Sequence, residues 1–103
     1  MGAEKLLNQL EKETNKEIET DEIYIFGSLA KGDYHKDSDA DIAVISNEFK
    51  GMRPRERYEK IINQVRKATK NRPVDLLCYT PEEFEKNQDS ILPQIISEEG
   101  IST

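Results

Sequence analysis

The sequence has a single cysteine, Cys78, a single histidine, His35, and no tryptophan. One cysteine cannot form an internal disulfide, which fits a reducing compartment such as the cytoplasm. No apolar run approaches the roughly 20 residues that a helix needs to cross a bilayer. The first residues also lack the hydrophobic segment of a signal peptide. We therefore expect a cytoplasmic protein without membrane contacts, and a surface position for His35, which has no second His or Cys at ligand spacing.

The chain is short and acidic. Its 103 residues predict one domain, residues 1–103, with a modest core. The net charge of −6 argues against a surface that broadly binds nucleic acid. The aromatic residues are not interleaved with basic ones, as they are in many RNA-binding sequences. Direct binding of nucleic acid is therefore not expected.

The positive charges are concentrated in one stretch. Residues 50–72 contain nine Lys or Arg residues and two Glu residues. Such a run usually forms the solvated face of a helix. The alternative is a docking face for an acidic partner or for RNA, with Arg53, Arg55 and Arg57 among its charges.

The spacing of the apolar residues along the sequence predicts a series of helices and strands. The helices are expected at Ala3 to about Ile18, Pro54 to about Lys70, Pro81 to about Asn87, and Asp89 or Ser90 to about Glu99. The strands are expected at Ile23–Phe26, Asp39–Ile45 and Val74–Tyr79, with a possible short edge strand at Ile101. Three of these helices have a clear core-facing set. The sets are Leu6, Leu7, Leu10, Thr14 and Ile18 in the first helix, Tyr58, Ile61, Ile62 and Val65 in the second, and Ile91, Leu92, Ile95 and Ile96 in the last.

These elements predict an α/β (α+β) fold, a small mixed sheet of three to four strands flanked by helices. A strand, a long helix and a strand form a right-handed crossover between parallel strands. The first two strands are joined by a shorter loop and are expected to be antiparallel. In that topology the end of the first strand and the starts of the other two meet at one edge of the sheet.

Two aspartates at that edge, Asp39 and Asp41, have the spacing of a metal site. Residues two apart in a strand point the same way, so their Cβ atoms are roughly 7 Å apart on one face. Carboxylates that close repel each other unless a cation lies between them, and hard oxygen ligands favour Mg²⁺ or Mn²⁺. The alternative is a solvated strand end. A calcium loop from Asp37 to Glu48 is excluded because its sixth position is Ile42, not glycine.

The Gly27-Ser28 pair after the first strand could bind phosphate. A strand that runs into the start of a helix leaves free backbone N–H groups, and Gly27 allows a close backbone approach. The Ser28 hydroxyl can donate to a phosphate oxygen, and Lys31 can add positive charge. The alternatives are an ordinary turn and a solvent-exposed lysine.

Carboxylates that hold two metal ions next to a phosphate-binding turn suit in-line nucleotidyl transfer. In this hypothesis Asp39 and Asp41 bridge both ions. Asp75, at the start of the third strand, holds one ion and can accept a proton from the attacking hydroxyl. The residues alone therefore predict a divalent-metal nucleotidyltransferase.

The spacing of these residues resembles that of a known superfamily. Gly27-Ser28, ten residues, and then Asp39-Ala-Asp41 match the Gly-Ser-x10-Asp-x-Asp signature of polymerase-β-like nucleotidyltransferases. Asp75, in Pro-Val-Asp-Leu-Leu, resembles the third acid of that superfamily. The length and layout are similar to the minimal nucleotidyltransferases (MNT), the antitoxins of HEPN/MNT toxin–antitoxin pairs.

The resemblance implies a specific activity. Such antitoxins are thought to use ATP and Mg²⁺ to place AMP on a tyrosine of a HEPN ribonuclease toxin and so silence it. It implies that Asp39, Asp41 and Asp75 are metal ligands and catalytic acids, and that Gly27 and Ser28 contact the nucleotide. The chain departs from relatives at Leu29, where they often have an arginine, and this removes one possible phosphate contact.

Three further hypotheses remain open at this point, and one of them is a plain metal- or nucleotide-binding regulator. The chain could be a non-catalytic antitoxin that neutralises its toxin by binding alone. It could also be an adenylyltransferase for a small molecule, with a partner chain supplying the substrate-binding domain. The transferred group could be AMP or a short oligo-adenylate.

Overall fold

A computed structural model describes residues 3–27, 30, 39–86 and 91–103 of the chain. Its helices are α1 (Ala3–Thr14), α2 (Pro54–Thr69), α3 (Pro81–Lys86) and α4 (Ile91–Glu99), with one 3-10 turn at Asn47–Phe49. Its strands are β1 (Glu22–Phe26), β2 (Ala40–Ile45), β3 (Val74–Tyr79) and β4 (Ile101–Ser102). None of the helices in these ranges is long and apolar enough to span a bilayer.

The four strands form one mixed sheet in the order β3-β2-β1-β4. β1 is antiparallel to β2 and to β4, and β2 is parallel to β3. The predicted fold class, the antiparallel first pair and the parallel crossover are confirmed.

Side chains alternate between the two faces of the sheet, as strand geometry requires. Along β2, Ile42 and Val44 belong to the core packed against α1 and α2. Ala43 and Ile45 belong to the smaller core packed against Phe84 of α3 and Ile96 of α4. The α3/α4 face is therefore the face on which the odd-numbered residues of β2 lie.

The first helix is shorter than predicted. α1 ends at Thr14, whose hydroxyl donates to the Leu10 carbonyl at 2.6 Å. The Asn15 side chain then accepts hydrogen bonds from the backbone N–H and the hydroxyl of Thr20, both at 3.1 Å. An asparagine that bonds locally in this way competes with helix continuation. Ile18 is nevertheless buried, through the turn that follows the helix.

Two residues predicted to face the core are exposed. Tyr58 is 36% exposed and Ile95 is 37% exposed. The inward position near Tyr58 is occupied by Arg57, which is only 7% exposed. On α4, Ile96 is buried and its neighbour Ile95 is not. The side chains of Ile91 and Leu92 are not among those that the structure describes.

Arg57 connects α2, β3 and α3. Its guanidinium makes two hydrogen bonds to the Glu83 carboxylate, at 2.5 and 3.0 Å. It also donates to the Met52 carbonyl at 2.9 Å and the Cys78 carbonyl at 3.3 Å. The prediction that Arg57 belongs to an exposed docking face is therefore wrong, because Arg57 is buried and its charge is paired with Glu83.

The predicted start of α3 is confirmed. The Thr80 hydroxyl accepts a hydrogen bond from the Glu83 N–H at 3.1 Å, and the Glu83 carboxylate accepts one from the Thr80 N–H at 3.0 Å. This reciprocal pair is a capping box, with Pro81 as the first helical residue. Glu83 therefore both caps α3 and neutralises Arg57.

Candidate nucleotidyltransferase site

The turn after β1 lies against a carboxylate. Gly27 has a φ of +69°, a conformation that L side chains rarely adopt. A Cβ atom on Gly27 would lie 3.1 Å from Cγ of Asp41 and would overlap its Oδ2 atom. Glycine is therefore required here for two reasons, the backbone conformation and the space taken by Asp41.

The strand register places two of the predicted acids side by side. Asp41 of β2 is the direct neighbour of Asp75 in the parallel β2–β3 ladder. On its other side, Asp41 is paired with Phe26, the residue before Gly27. Neighbouring strands are about 4.8 Å apart, so two carboxylates from paired positions are within reach of one ion. Both lie on the α3/α4 face, because they alternate with Ile42 and Leu76 of the other core.

Asp39 lies just before β2 and is exposed. The backbone between the two aspartates is fixed by the Ala40 N–H, which donates to the Pro73 carbonyl at 2.9 Å. This bond joins the start of β2 to the residues that precede β3. The three predicted acids, Asp39, Asp41 and Asp75, thus come from one edge of the sheet, as the topology predicted.

The pKa of Asp41 is raised above its usual value. Partial burial is the largest cause, followed by the negative charges of Asp75 and then Asp39. Asp41 is thus a half-buried carboxylate whose ionisation is disfavoured by its burial and by two neighbouring acids.

A hard divalent cation fits this donor set in chemical type, since carboxylate oxygens are the ligands that Mg²⁺ and Mn²⁺ prefer. In the described ranges, however, no three His, Cys, Asp or Glu side chains are grouped closely enough to hold an ion. The arrangement thus supplies the adjacent pair Asp41 and Asp75 with Asp39 beside them, and not a closed three-residue site.

Part of the predicted site lies outside the described residues. Ser28 and Lys31, the other predicted phosphate contacts, belong to this part, as do Leu29 and His35. Of the nucleotide-contact residues predicted from the sequence, only Gly27 is described.

The contact between Gly27 and Asp41 was not predicted from the sequence. A signal for it was available, because antiparallel pairing of the first two strands places the residue after Phe26 next to the start of β2. The hydrogen bond from the Ala40 N–H to the Pro73 carbonyl was not predicted either. It involves only backbone atoms, so the residue types do not reveal it.

Comparison with known proteins agrees with this architecture. Residues 5–101 match the family model described as a nucleotidyltransferase domain. A protein of Methanocaldococcus jannaschii named "Putative protein adenylyltransferase" is 32% identical over 59 residues, 52% of this chain and 60% of that protein. The chain thus spans about 60% of the length of this curated relative.

Two solved structures share the fold. A structure titled as a putative nucleotidyltransferase from Sulfolobus solfataricus has a TM-score of 0.60 and 24% identity, covering 96% of this chain and 82% of that one. A structure titled "Crystal structure of the toxin-antitoxin with AMP-PNP" has a TM-score of 0.67 and 26% identity, covering 92% of this chain and 69% of that one. The family match covers nearly the whole sequence, and this chain therefore belongs to the nucleotidyltransferase domain family.

Proposed function

We propose that this chain is the antitoxin of a toxin–antitoxin pair and transfers AMP from ATP to a tyrosine hydroxyl of a HEPN-type toxin. The observation that carries the proposal is the pairing of Asp41 with Asp75 beside the Gly27 turn. The relative named as a protein adenylyltransferase and the toxin–antitoxin structure support a protein acceptor.

The acidic residues have the first role in this proposal. Asp39, Asp41 and Asp75 hold one or two Mg²⁺ ions, with Mn²⁺ as the alternative. When bound, the metal balances the phosphate charge and lowers the pKa of the acceptor hydroxyl. The repulsion of Asp41 by the charges of Asp75 and Asp39 would be relieved by a cation bound between them.

The remaining residues position the reactants. The Gly27 turn, Ser28 and Lys31 hold the β- and γ-phosphates of ATP, which sets the α-phosphorus in line with the acceptor. Asp75 is exposed at the start of β3 and accepts the proton of the tyrosine hydroxyl. A bond forms between the tyrosine oxygen and the α-phosphorus, the bond from the α-phosphorus to the bridging oxygen breaks, and pyrophosphate leaves.

The proposal is tested with ATP labelled in its α-phosphate, Mg²⁺ and the HEPN-type protein encoded beside this chain. We expect label on the partner with the wild-type chain and none with Asp41→Asn or Asp75→Asn. Glu59→Gln is the matched control, because it removes an exposed carboxylate whose partner, Arg55, is on the same helix. Equal labelling by all four proteins would refute the assigned roles.

A second candidate function is neutralisation of the toxin by binding alone. It is favoured by one observation, that the described carboxylates do not form a closed three-residue metal group. The same experiment separates the two functions. A stable complex that inhibits the toxin without any labelling, and that is unaffected by Asp41→Asn, would establish neutralisation by binding.

A further inference from the structure

The turn between α2 and β3 has two consecutive non-glycine residues with a left-handed backbone. Lys70, which follows the last residue of α2, has a φ of 56° and a ψ of 46°. Asn71 comes next and has a φ of 63°. L residues rarely adopt this conformation, because the Cβ atom comes too close to the following carbonyl oxygen. They keep it only where the surrounding structure requires it.

The end of α2 explains only the first of these residues. The Lys70 N–H donates to the carbonyls of Arg66 and Lys67. The Asn71 N–H donates to the Arg66 carbonyl at 2.9 Å. These bonds form a Schellman motif, which needs one left-handed residue, here Lys70. The left-handed conformation of Asn71 is therefore not needed to end the helix, and its reason lies in the segment that follows.

The segment that follows Asn71 is stiff. The proline ring fixes φ of Pro73 at about −65° and restricts the preceding residue, Arg72, to extended conformations. The end of α2 is anchored by the buried Thr69. Because the residues on both sides are restricted, Lys70 and Asn71 decide the direction in which the chain leaves the helix. A change in the backbone of Asn71 would therefore move the Pro73 carbonyl.

The Pro73 carbonyl is the point at which this segment contacts the candidate site. It accepts a hydrogen bond from the Ala40 N–H at 2.9 Å. Ala40 is fully buried and stands between Asp39 and Asp41 in the chain. Two residues after Pro73 is Asp75, the neighbour of Asp41 in the parallel ladder. This hydrogen bond therefore joins the two strand starts that carry the three predicted acids.

We propose that Asn71 is a positioning residue for the candidate site. Its left-handed backbone aims the Pro73 carbonyl at the Ala40 N–H, and the resulting hydrogen bond keeps the starts of β2 and β3 in place for metal binding. Asn71 acts through the backbone and not by contact with the reactants. Asparagine suits this role, because after glycine it is among the residues that most readily adopt a positive φ. The inference rests on the proposed function only in assigning a metal ion to these acids.

The test compares variants that differ in how well they tolerate a positive φ. Asn71→Gly keeps the left-handed conformation accessible. Asn71→Val opposes it, since a β-branched residue is strongly disfavoured there. Gly51→Val is the matched control, because Gly51 has a φ of +82° with nothing within 4 Å of an added Cβ. It lies beyond the end of β2, whereas the acids lie at or before the starts of β2 and β3.

The first measurement is amide hydrogen exchange of Ala40 by NMR. The reference is the Asp21 N–H, which donates to the Ile45 carbonyl at 2.8 Å at the other edge of the sheet. We expect Ala40 to exchange about tenfold faster relative to this reference in Asn71→Val. The ratio should stay at its wild-type value in Asn71→Gly and Gly51→Val. An unchanged ratio in Asn71→Val would overturn the proposal, because position 71 would then not control the hydrogen bond.

The second measurement is the Mg²⁺ dissociation constant, obtained from the rise of Tm with Mg²⁺ concentration. We expect Asn71→Val to bind Mg²⁺ about tenfold more weakly, an effect typical of losing a contact that orients metal ligands. Asn71→Gly and the destabilised Gly51→Val should bind it as the wild type does. Wild-type affinity in Asn71→Val would overturn the proposal. Equal weakening in Gly51→Val would also overturn it, because lost stability would then be the cause.

The two measurements separate this inference from the proposed function. A wild-type chain whose Tm does not respond to Mg²⁺ would refute the metal site and leave the transfer reaction without support. The exchange ratio of Ala40 needs neither metal nor nucleotide, so it still decides whether Asn71 controls the contact between β2 and β3.

Discussion

Gly27 and Asp41 are in direct steric contact, although 13 residues of the sequence separate them. The Asp41 carboxylate occupies the space that a Cβ on Gly27 would need. The position of the turn after β1 and the position of the β2 carboxylate are therefore coupled. A change at Gly27 has to move one of them.

Gly27→Ala is expected to reduce nucleotide transfer by more than its loss of folding stability alone would explain. The φ of +69° costs a non-glycine residue about 1–2 kcal/mol, and the added methyl group also displaces the Asp41 carboxylate. Denaturation and transfer assays measure the two effects separately. Gly51→Ala is the matched control, since Gly51 has a φ of +82° with nothing within 4 Å of an added Cβ. Equal loss of transfer in both variants would show that the contact with Asp41 is unimportant.

Asp41→Asn is expected to stabilise the metal-free protein slightly. Burial, and then the charges of Asp75 and Asp39, raise the pKa of Asp41, so removing the charge at position 41 relieves both costs. In the wild type Mg²⁺ should raise Tm by mass action, and in the variant this increase should disappear. Thermal unfolding with and without Mg²⁺ measures both effects. A variant that is less stable without metal, yet is still stabilised by it, would contradict the assigned role.

The overall fold was largely predictable from the sequence because its signals are local. The alternation of side chains along β1 and β2 involves only neighbouring residues. The same holds for the capping box at Thr80. The errors occurred where a partner distant in sequence decides the outcome. Arg57 was expected on the surface, but Glu83, 26 residues away, allows it to be buried, and Tyr58 is exposed beside it.

For the candidate site, only its location could be predicted from the sequence, at the edge of the sheet where β1 ends and β2 and β3 start. Strand topology correctly brought Asp41 next to Asp75, because pairing follows from the crossover. The half-burial of Asp41 depends on packing between elements far apart in the sequence, whereas its contact with Gly27 follows from the antiparallel pairing of β1 and β2 and was overlooked. The catalytic, metal-binding and nucleotide-binding roles of the six predicted site residues all stay predictions: Asp39, Asp41, Asp75, Gly27, Ser28 and Lys31.

Cys78 is expected to react slowly with iodoacetamide in the native protein. Burial raises the pKa of its thiol to about 12, so very little thiolate is present near neutral pH. The nearby Arg57 opposes this shift only in part. Unfolding in denaturant should accelerate alkylation strongly, as mass spectrometry over time would show. Alkylation at the same rate in native and unfolded protein would contradict a covered thiol.

Glu83→Gln is expected to destabilise the protein by about 2 kcal/mol. The variant leaves the Arg57 guanidinium buried without its counter-charge, which costs about 3–5 kcal/mol in a fully buried pair. The cost is lower here because the Glu83 side chain is 41% exposed and solvent screens the pair. Glu82→Gln is the control, because its ion pair with Lys86 lies at the surface and contributes little. Urea denaturation of both variants measures the difference, and equal midpoints would show that the Arg57 pair does not stabilise the fold.

The same pair predicts how stability depends on pH. The hydrogen bonds from Arg57 lower the pKa of Glu83 from 4.5 to about 2 in the folded protein. A carboxyl whose pKa is lower in the folded state stabilises the fold fully above its unfolded pKa. That contribution is lost as the pH falls from about 4.5 through about 2. The difference in unfolding free energy between wild type and Glu83→Gln should therefore be constant near neutral pH and shrink across this acid range. A difference that stays constant down to the acid limit would mean that the negative charge of Glu83 does not stabilise Arg57.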